Sequence, residues 1–376
     1  MKPLLKDTNC NNAINVICRW FVGLVFLFSS FVKGVDPMGT AFKIQEYMTA
    51  WSIGSITFEW ALPFANFLAV ALVTAEFLVG VMLITNAYRR LTAWLLAAMM
   101  LFFTATTLID ALTNKVTDCG CFGDAVKLTN WQTFWKNIVL DVPTVWIVLT
   151  CRNRMKRRFE RDALVALFAI AAMVAFSLYN INNEPCIDFR AWKVGNQMIS
   201  TEQNLKMECY ISYRNNETGE VVELLSTECA DYANDTLKWT YLDTRVVDPY
   251  EIHADGFAML DMEGNDYAVD LIGSPDSLVI VTIHHLDKVS ERGLESIRQM
   301  LSWAENEGIQ LVMLTSALTE DMQAFLYEHN LDNVEFYFAD ATAIETMARS
   351  NPGFLLLKDG KVLGKWHYRN IEDLME

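Results

Sequence analysis

Two cysteines one residue apart, Cys119 and Cys121, stand in the string Thr-Asp-Cys-Gly-Cys-Phe-Gly-Asp at Thr117–Asp124. Thiols this close suit disulfide exchange: one thiolate attacks a disulfide, and its neighbour resolves the mixed intermediate. A disulfide closed within Cys-x-Cys makes a very small, strained ring that is easily reduced. Lys115 and Lys127 would lower a thiol pKa, whereas Asp118 and Asp124 would raise it, so the nearby charges conflict. Other uses of the same residues stay open. A Cys119–Cys121 or Cys121–Cys186 bond could merely pin the loop. A metal site is the weakest reading, because no histidine lies nearby.

The turn is flanked by apolar sequence on both sides. Five apolar runs stand out, near Ile14–Val32, Leu62–Thr85, Leu91–Leu112, Asn137–Thr150 and Ala163–Tyr179. A membrane span needs about 20 apolar residues. The fourth run is short, but Phe134 and Trp135 can extend it to the interface, and Pro143 should kink it. No small-residue cleavage site follows the first run, which reads as an uncleaved anchor. If the runs alternate, the basic groups Lys2/Lys6, Arg89/Arg90 and Arg152–Arg161 all fall on one side. The positive-inside rule makes that side cytoplasmic. The Cys119/Cys121 turn and everything after Tyr179 then face outward.

Five cysteines share that outward face: Cys119, Cys121, Cys186, Cys209 and Cys229. Five is odd, so one must be free or partnered elsewhere. Cys186 follows the fifth run and so starts at the same membrane surface as the Cys-Gly-Cys turn. Cys209 and Cys229 lie in a strand-rich stretch and suit a structural disulfide if their Cα atoms approach within about 6 Å. Cys10, Cys18 and Cys151 lie on the basic side and should stay reduced.

Glu76 lies well inside the second run. A carboxylate there should face the bundle interior and pair, with Lys33 or Arg19 as the available cations. Asp110 and Asp141 could join the same network. Two readings follow: proton or quinone handling beside the thiols, or a tether between helices. Between the first two runs, Ala41–Trp51 has the pattern of a short amphipathic helix at the bilayer surface, either capping the bundle or acting as a lid.

The net charge of −16 hides a split: the chain from Asn183 onward is more acidic than that total, and the mildly basic front offsets part of it. So acidic a back half disfavours nucleic acid as a partner. Leu205–Tyr213, Val221–Leu225 and Leu237–Val247 read as strands of a small β module. Further on, Phe257–Asp261 and Tyr267–Leu271 suggest a hairpin. Ser277–Ile283 and Ile309–Leu314 read as buried strands, separated by a helix over Ser290–Glu307. Thr319 should cap a helix reaching about Asn330, and Asp340 another over Ala341–Ser350. A final hairpin turns at Asp359-Gly360. His284 and His285, adjacent at a strand end, point to opposite faces; they make a poor metal pair and read as a solvated loop.

Two resemblances rest on these residues. The front half resembles the DoxX/MauE group of membrane proteins through Lys33-Gly34-Val35-Asp36-Pro37, Ala75-Glu76 and Cys119-Gly120-Cys121-Phe122-Gly123. It is also similar in general plan to vitamin K epoxide reductase relatives. The MauE resemblance implies work with a periplasmic thioredoxin-like partner in maturing a disulfide-rich protein. The back end resembles the TlpA-type thioredoxin fold through Asn351-Pro352, at that family's cis-proline position, and through Phe354–Val362. Pro352 would shape a groove that binds extended peptide in active relatives. That family's Cys-x-x-Cys is replaced here by His284-His285-Leu286-Asp287-Lys288, and no cysteine follows Cys229. The whole resembles MauE–thioredoxin fusions of Bacteroidetes-type bacteria.

The expected fold is therefore a five-helix membrane bundle over residues 1–182, a β module over 183–255 and a thioredoxin-like α/β domain over 256–376. The expected setting is a bacterial inner membrane, with the N-terminus cytoplasmic and the last domain periplasmic. The expected function is an extracytoplasmic thiol–disulfide relay, or maturation of an envelope client protein, through Cys119, Cys121 and Cys186. The alternative is a non-catalytic scaffold whose last domain binds a partner. No cofactor is required, although a quinone could serve as electron acceptor; the expected partners are the lipid bilayer and a periplasmic client protein.

Overall fold

A computed structural model describes residues 9–50, 52–53, 56–116, 120–151, 159–200, 206–247, 250–254, 256–331 and 333–372. The chain divides into two compact units, Met1–Arg190 and Ala191–Glu376.

The first unit is helical. Its elements are α1 (Asn9–Val35), α2 (Pro37–Ala50), α3 (Ala65–Thr85), α4 (Arg89–Thr113), α5 (Asn130–Thr150) and α6 (Phe159–Asn182), with a two-residue-strand hairpin, β1 (Ser52–Ile53) and β2 (Ile56–Thr57), after α2. Among the described residues, four stretches are long and apolar enough to cross a membrane: Ala13–Val35, Trp60–Thr85, Arg89–Thr113 and Phe159–Asn182. The chain is thus a multi-pass membrane protein. The expected fifth span, α5, does not join that set. It is 21 residues long, but Asn130, Gln132, Lys136, Asn137 and Asp141 dilute its apolar character. It also starts earlier than expected. Thr129 caps it, accepting from the Gln132 amide while the Gln132 side chain accepts from the Thr129 amide.

Side-chain bonds fix how the helices run. Arg19 on α1 reaches the carbonyl of Leu83 on α3, and Lys33 reaches Glu76 further back along α3, so the two helices are antiparallel. Thr104 with Asp141, and Asn130 with the Asp110 carbonyl, do the same for α4 and α5. Asn180 of α6 donates to the Gly34 carbonyl at the end of α1, and Arg161 to the Thr85 carbonyl at the end of α3. The turn holding Cys121 and the end of α6 therefore share one end of the bundle. Arg89, Arg90 and Arg161 share the other.

Small residues let α1 and α3 come close. A Cβ on Gly80 would stand 2.9 Å from Leu27 Cδ2 and 3.1 Å from the Gly23 carbonyl oxygen. That approach sets the spacing between the α1 side chains and Glu76. The helix expected over Ala41–Trp51 is α2, which packs on α3 with Ala41 buried in a small cluster beside Ala65 and Ala69.

In the second unit, β3 (Glu208–Asn215), β4 (Val221–Leu225) and β5 (Trp239–Val247) form an antiparallel sheet of order β4-β3-β5, with the short helix α7 (Ala230–Asn234) between β4 and β5. A second sheet has the order β10-β9-β6-β7-β8. In it β6 (Leu278–Ile283), β7 (Gln310–Thr315) and β8 (Glu335–Phe338) are parallel, and β9 (Gly353–Lys358) and β10 (Lys361–His367) return antiparallel. Every residue of β6 is buried. Leu278 and Ile280 join one core cluster; Val279, Val281 and Ile283 join the other. Period-two alternation with no polar face is what a central strand covered on both sides requires.

Four further helices belong to this unit: α8 (Ala268–Ile272), α9 (Glu291–Glu307), α10 (Thr319–Glu328) and α11 (Ala341–Met347). Three local expectations change. The hairpin expected at 257–271 reduces to single bridges of Leu260 with Asp266 and Phe338, followed by α8. There the Asp266 carboxylate accepts from the Met259 and Ala268 amides and bends the chain into a helix. The N-cap of α10 is Leu318 rather than Thr319. Asp340 does cap α11, accepting from Thr342 and Ala343 amides, but the helix ends at Met347. Residues ahead of β3 also join this sheet: Trp192, Met198 and Ile199 are buried in its core, and the Met198 amide donates to Gly360.

Candidate functional site

Cys121 lies at the end of the bundle where α1 and α6 finish. The turn is pressed onto α1. Phe122 packs against Phe28 with ring centroids 5.4 Å apart, and the Lys136 ammonium stands 4.4 Å from the centre of the Phe122 ring. Gly120 and Gly123 take left-handed backbone angles, φ +62° and +51°. Lys43 Cγ would lie 3.2 Å from a Cβ at Gly120, so a side chain there would meet both strain and crowding. Cys119 lies outside the described residues.

Below the turn is a buried ion pair. Lys33 Nζ stands 2.6 Å from Glu76 Oε1, with the side chains only 9% and 2% exposed. The other Glu76 oxygen, Oε2, is 2.9 Å from Ser29 Oγ, and the same hydroxyl is 2.9 Å from the Cys121 carbonyl oxygen. Ser29 carries one proton and faces two acceptors, so it can serve the carboxylate or the turn but not both at once. Ser29 and Lys33 are four residues apart on α1, which puts both on the face turned to Glu76. Sequence reasoning missed Ser29. Its signal was a polar residue one helical turn before an intramembrane lysine.

The remaining polar residues make their own bonds. Asp110 accepts from the Tyr47 hydroxyl of α2 at 2.6 Å, and Asp141 from Thr104 at 2.9 Å. Arg19 donates to carbonyls at the end of α3 instead of pairing with Glu76.

Cys186 is exposed, and its amide donates to Asn180 Oδ1 at 2.9 Å. Since Asn180 also donates to the Gly34 carbonyl, Cys186 is tied to the residue after Lys33. A shallow recess is lined by Val32, Asp36, Asp124, Pro185, Asp188 and Arg190, among others. It joins Asp124, three residues past Cys121, to Pro185, the neighbour of Cys186. Arg190 is buried and bonds Asp188 at 2.7 Å and Glu184 at 3.2 Å. Burial alone would weaken its hold on the proton, but Glu184, Asp188 and Asp36 outweigh that and push its pKa further up.

Residues 11–150 match the family model of Methylamine utilisation protein MauE. A MauE-family domain covers α1 to α5. It holds Lys33, Glu76, Asp110, Cys119 and Cys121, whereas α6, Cys186 and Arg190 lie beyond it. No curated protein and no solved structure matches the chain.

In the second unit, Cys209 lies on β3 and Cys229 follows β4, and both are free thiols here. Cys229 is buried and points its thiol at the Leu225 carbonyl, 3.1 Å away. Burial and the neighbouring Cys209 raise its pKa, which keeps it protonated. The Asn351–Pro352 peptide is cis, and a Cβ on Gly293 would stand 2.7 Å from Pro352 Cδ. Asn351 braces the histidine segment, accepting from the His284 amide and donating to the His285 carbonyl. His284 and His285 do face opposite surroundings, but the solvated-loop reading fails for His284, which is 9% exposed. Burial, helped by Arg349, lowers its pKa to about 4.

Proposed function

We propose that the chain is the membrane component of an extracytoplasmic thiol–disulfide relay that matures an envelope client. The MauE-family domain presents Cys119 and Cys121 on the outer face of a bacterial inner membrane. Exchange there conserves electrons. A Cys121 or Cys119 thiolate attacks a partner disulfide, one partner sulfur leaves as thiolate, and the second cysteine displaces the other. The pair ends as a disulfide and the partner as a dithiol; the reverse sequence oxidises a client. Cys186, which follows α6 at the same end of the bundle, resolves an intermediate in this reading. A quinone is one acceptor that could return the pair to its starting state.

The observation that carries this reading is the Ser29 hydroxyl between Glu76 and the Cys121 carbonyl. It ties the cysteine turn to a buried charge pair instead of leaving it as a free surface loop. The orientation rests on Arg89, Arg90 and Arg161 gathering at the end away from Cys121. The full span of α5 rests on its 21 residues, about 31 Å of helix, running antiparallel to α4. The order β10-β9-β6-β7-β8, with Pro352 directly before β9, supports a thioredoxin-like second unit that binds the client.

A non-catalytic scaffold is the second reading, favoured by buried His284 where a redox cysteine would stand. Trapping separates the two. Cys119→Ser and Cys121→Ser should each accumulate a mixed disulfide with an envelope protein, visible on non-reducing gels and lost with dithiothreitol. Alkylation of the outward cysteines before and after reduction, read by mass spectrometry, should show Cys119 and Cys121 changing together. No adduct and no redox-dependent labelling would leave only the scaffold.

A further inference from the structure

The sheet of order β4-β3-β5 has β5 at its edge, and among the described residues β5 pairs with β3 alone. Every residue from Thr240 to Val247 is exposed. An uncovered edge strand of nine residues carries a row of backbone donors and acceptors open to another strand. It also holds apolar side chains in water: Tyr241 is 55% exposed, Leu242 39%, Val246 50% and Val247 36%. Aromatic and β-branched residues of this kind suit a covered sheet.

The charges of the strand say which partner fits it. Asp243 and Arg245 lie on either side of Thr244. β5 skips Leu242 in pairing with β3, so Asp243–Val247 is its regular run, and Thr244 lies within it. A second copy pairing antiparallel with β5 is related by a two-fold axis perpendicular to the sheet, which returns each face to itself. The axis must then pass through a residue and not between two, or side chains would change faces. Centred on Asp243 or on Arg245, the register sets like charges opposite one another, which destabilises a strand pair. Centred on Thr244, it sets Asp243 of each copy opposite Arg245 of the other, and Val246 opposite Leu242. Both charges are able to respond. Asp243 accepts from the Thr244 amide through Oδ1 at 2.8 Å, and among the described residues no cation bonds it. Arg245 bonds Glu223 at 3.1 Å, but the two side chains are 57% and 44% exposed, and a guanidinium has five N–H groups to share. The other edge, β4, offers no such match, because Glu223 stands at the middle of Val221–Leu225 and would face itself.

We propose that β5 is an interface between two copies of the chain, which pair antiparallel about Thr244 and join two three-stranded sheets into one of order β4-β3-β5-β5-β3-β4. Each ion pair and each apolar pair then forms twice, and the open edge disappears. An extended segment of another protein would use the same backbone groups, but β5 itself already carries the matching order of charges. The pairing is independent of the cysteine chemistry proposed above.

The test uses the full chain, co-expressed as two differently tagged copies and purified in neutral detergent. Wild-type copies should co-purify. Asp243→Arg and Arg245→Asp should each weaken self-association about tenfold or more, since each sets two like-charge pairs at the interface. Co-expressing Asp243→Arg with Arg245→Asp restores both opposite-charge pairs, so co-purification should return, and that recovery shows that both variants fold. Thr244→Cys gives a second reading. The two introduced thiols would meet across the axis within disulfide reach, so a dimer beyond that of the wild type should appear on non-reducing gels. Thr240→Cys, whose copy would stand about 27 Å away, should give none. If a charge variant fails to accumulate, the two cysteine variants decide. Charge variants that associate as the wild type does, as they would through membrane helices alone, overturn the proposal. So do a monomeric wild type, a charge-variant mixture that does not recover, and equal cross-linking at positions 244 and 240.

Discussion

Ser29 Oγ and the Cys121 backbone oxygen stand 2.9 Å apart, although 92 residues separate them in sequence. The contact makes the cysteine turn depend on α1. Ser29→Ala removes it, and should lower stability by about 1 kcal/mol, the usual net worth of one hydrogen bond. The clearer readout is chemical. A turn released from α1 should expose its thiols more often, so maleimide labelling at Cys121 should speed up severalfold in Ser29→Ala. An unchanged labelling rate would mean that Phe122 and Lys136 hold the turn unaided.

The Lys33–Glu76 pair predicts a characteristic double-variant pattern. Removing one partner of a buried ion pair strands the other charge, which costs about 3–5 kcal/mol. Lys33→Met and Glu76→Leu should each unfold at markedly lower temperature in detergent, or fail to accumulate. The double variant should recover most of the loss, because no lone charge remains. If each single variant is as stable as the wild type, the pair is not buried as described.

The Lys33–Glu76 pairing was half legible in the sequence. A lysine and a glutamate in apolar helices must find partners, and the choice lay between Lys33 and Arg19 for Glu76. What decided it was the direction of α1 against α3, which no single sequence states. Ser29 was overlooked because a serine is tolerated anywhere in an apolar helix, and only its place one turn before Lys33 set it apart. The start of α5 was legible and overlooked: Thr129-Asn-Trp-Gln132 spells a capping box, but its polar first turns hid it from a search for apolar runs. The strand at Ser277–Ile283 was plain because a central strand has no polar face. The 257–271 hairpin failed because alternation was read through Asp266, whose side chain bends the chain instead. His284 failed because adjacency to a loop was taken for exposure.

Close packing of α1 on α3 makes Gly80 a sensitive position. A Cβ there already meets Leu27 and the Gly23 backbone. Gly80→Leu should force the helices apart, with overpacking of about 1–3 kcal/mol. The consequence should reach Glu76, one helical turn away. Gly80→Leu should therefore show both a lower unfolding temperature and faster labelling of Cys121, whereas Gly219→Ala, in an open hairpin, should leave the labelling rate alone. Normal labelling in Gly80→Leu would uncouple helix spacing from the turn.

His284 predicts a pH dependence. Its folded pKa is about 4, against an ordinary value of 6.5, because burial disfavours the charged imidazolium. Between those two pH values the unfolded chain binds a proton that the folded chain refuses. The neutral-histidine contribution is thus intact above about pH 6.5 and is lost progressively as pH falls toward 4. A shift of this size corresponds to roughly 3 kcal/mol across the window. Urea unfolding followed by tryptophan fluorescence at pH 7, 5.5 and 4.5 should show that decline. His284→Gln, which cannot take the proton, should be less stable at pH 7 yet flatter with pH, so the two chains converge toward pH 4.5. Parallel curves for the two would assign the acid sensitivity to the carboxylates of this acidic unit and leave His284 without a part in it.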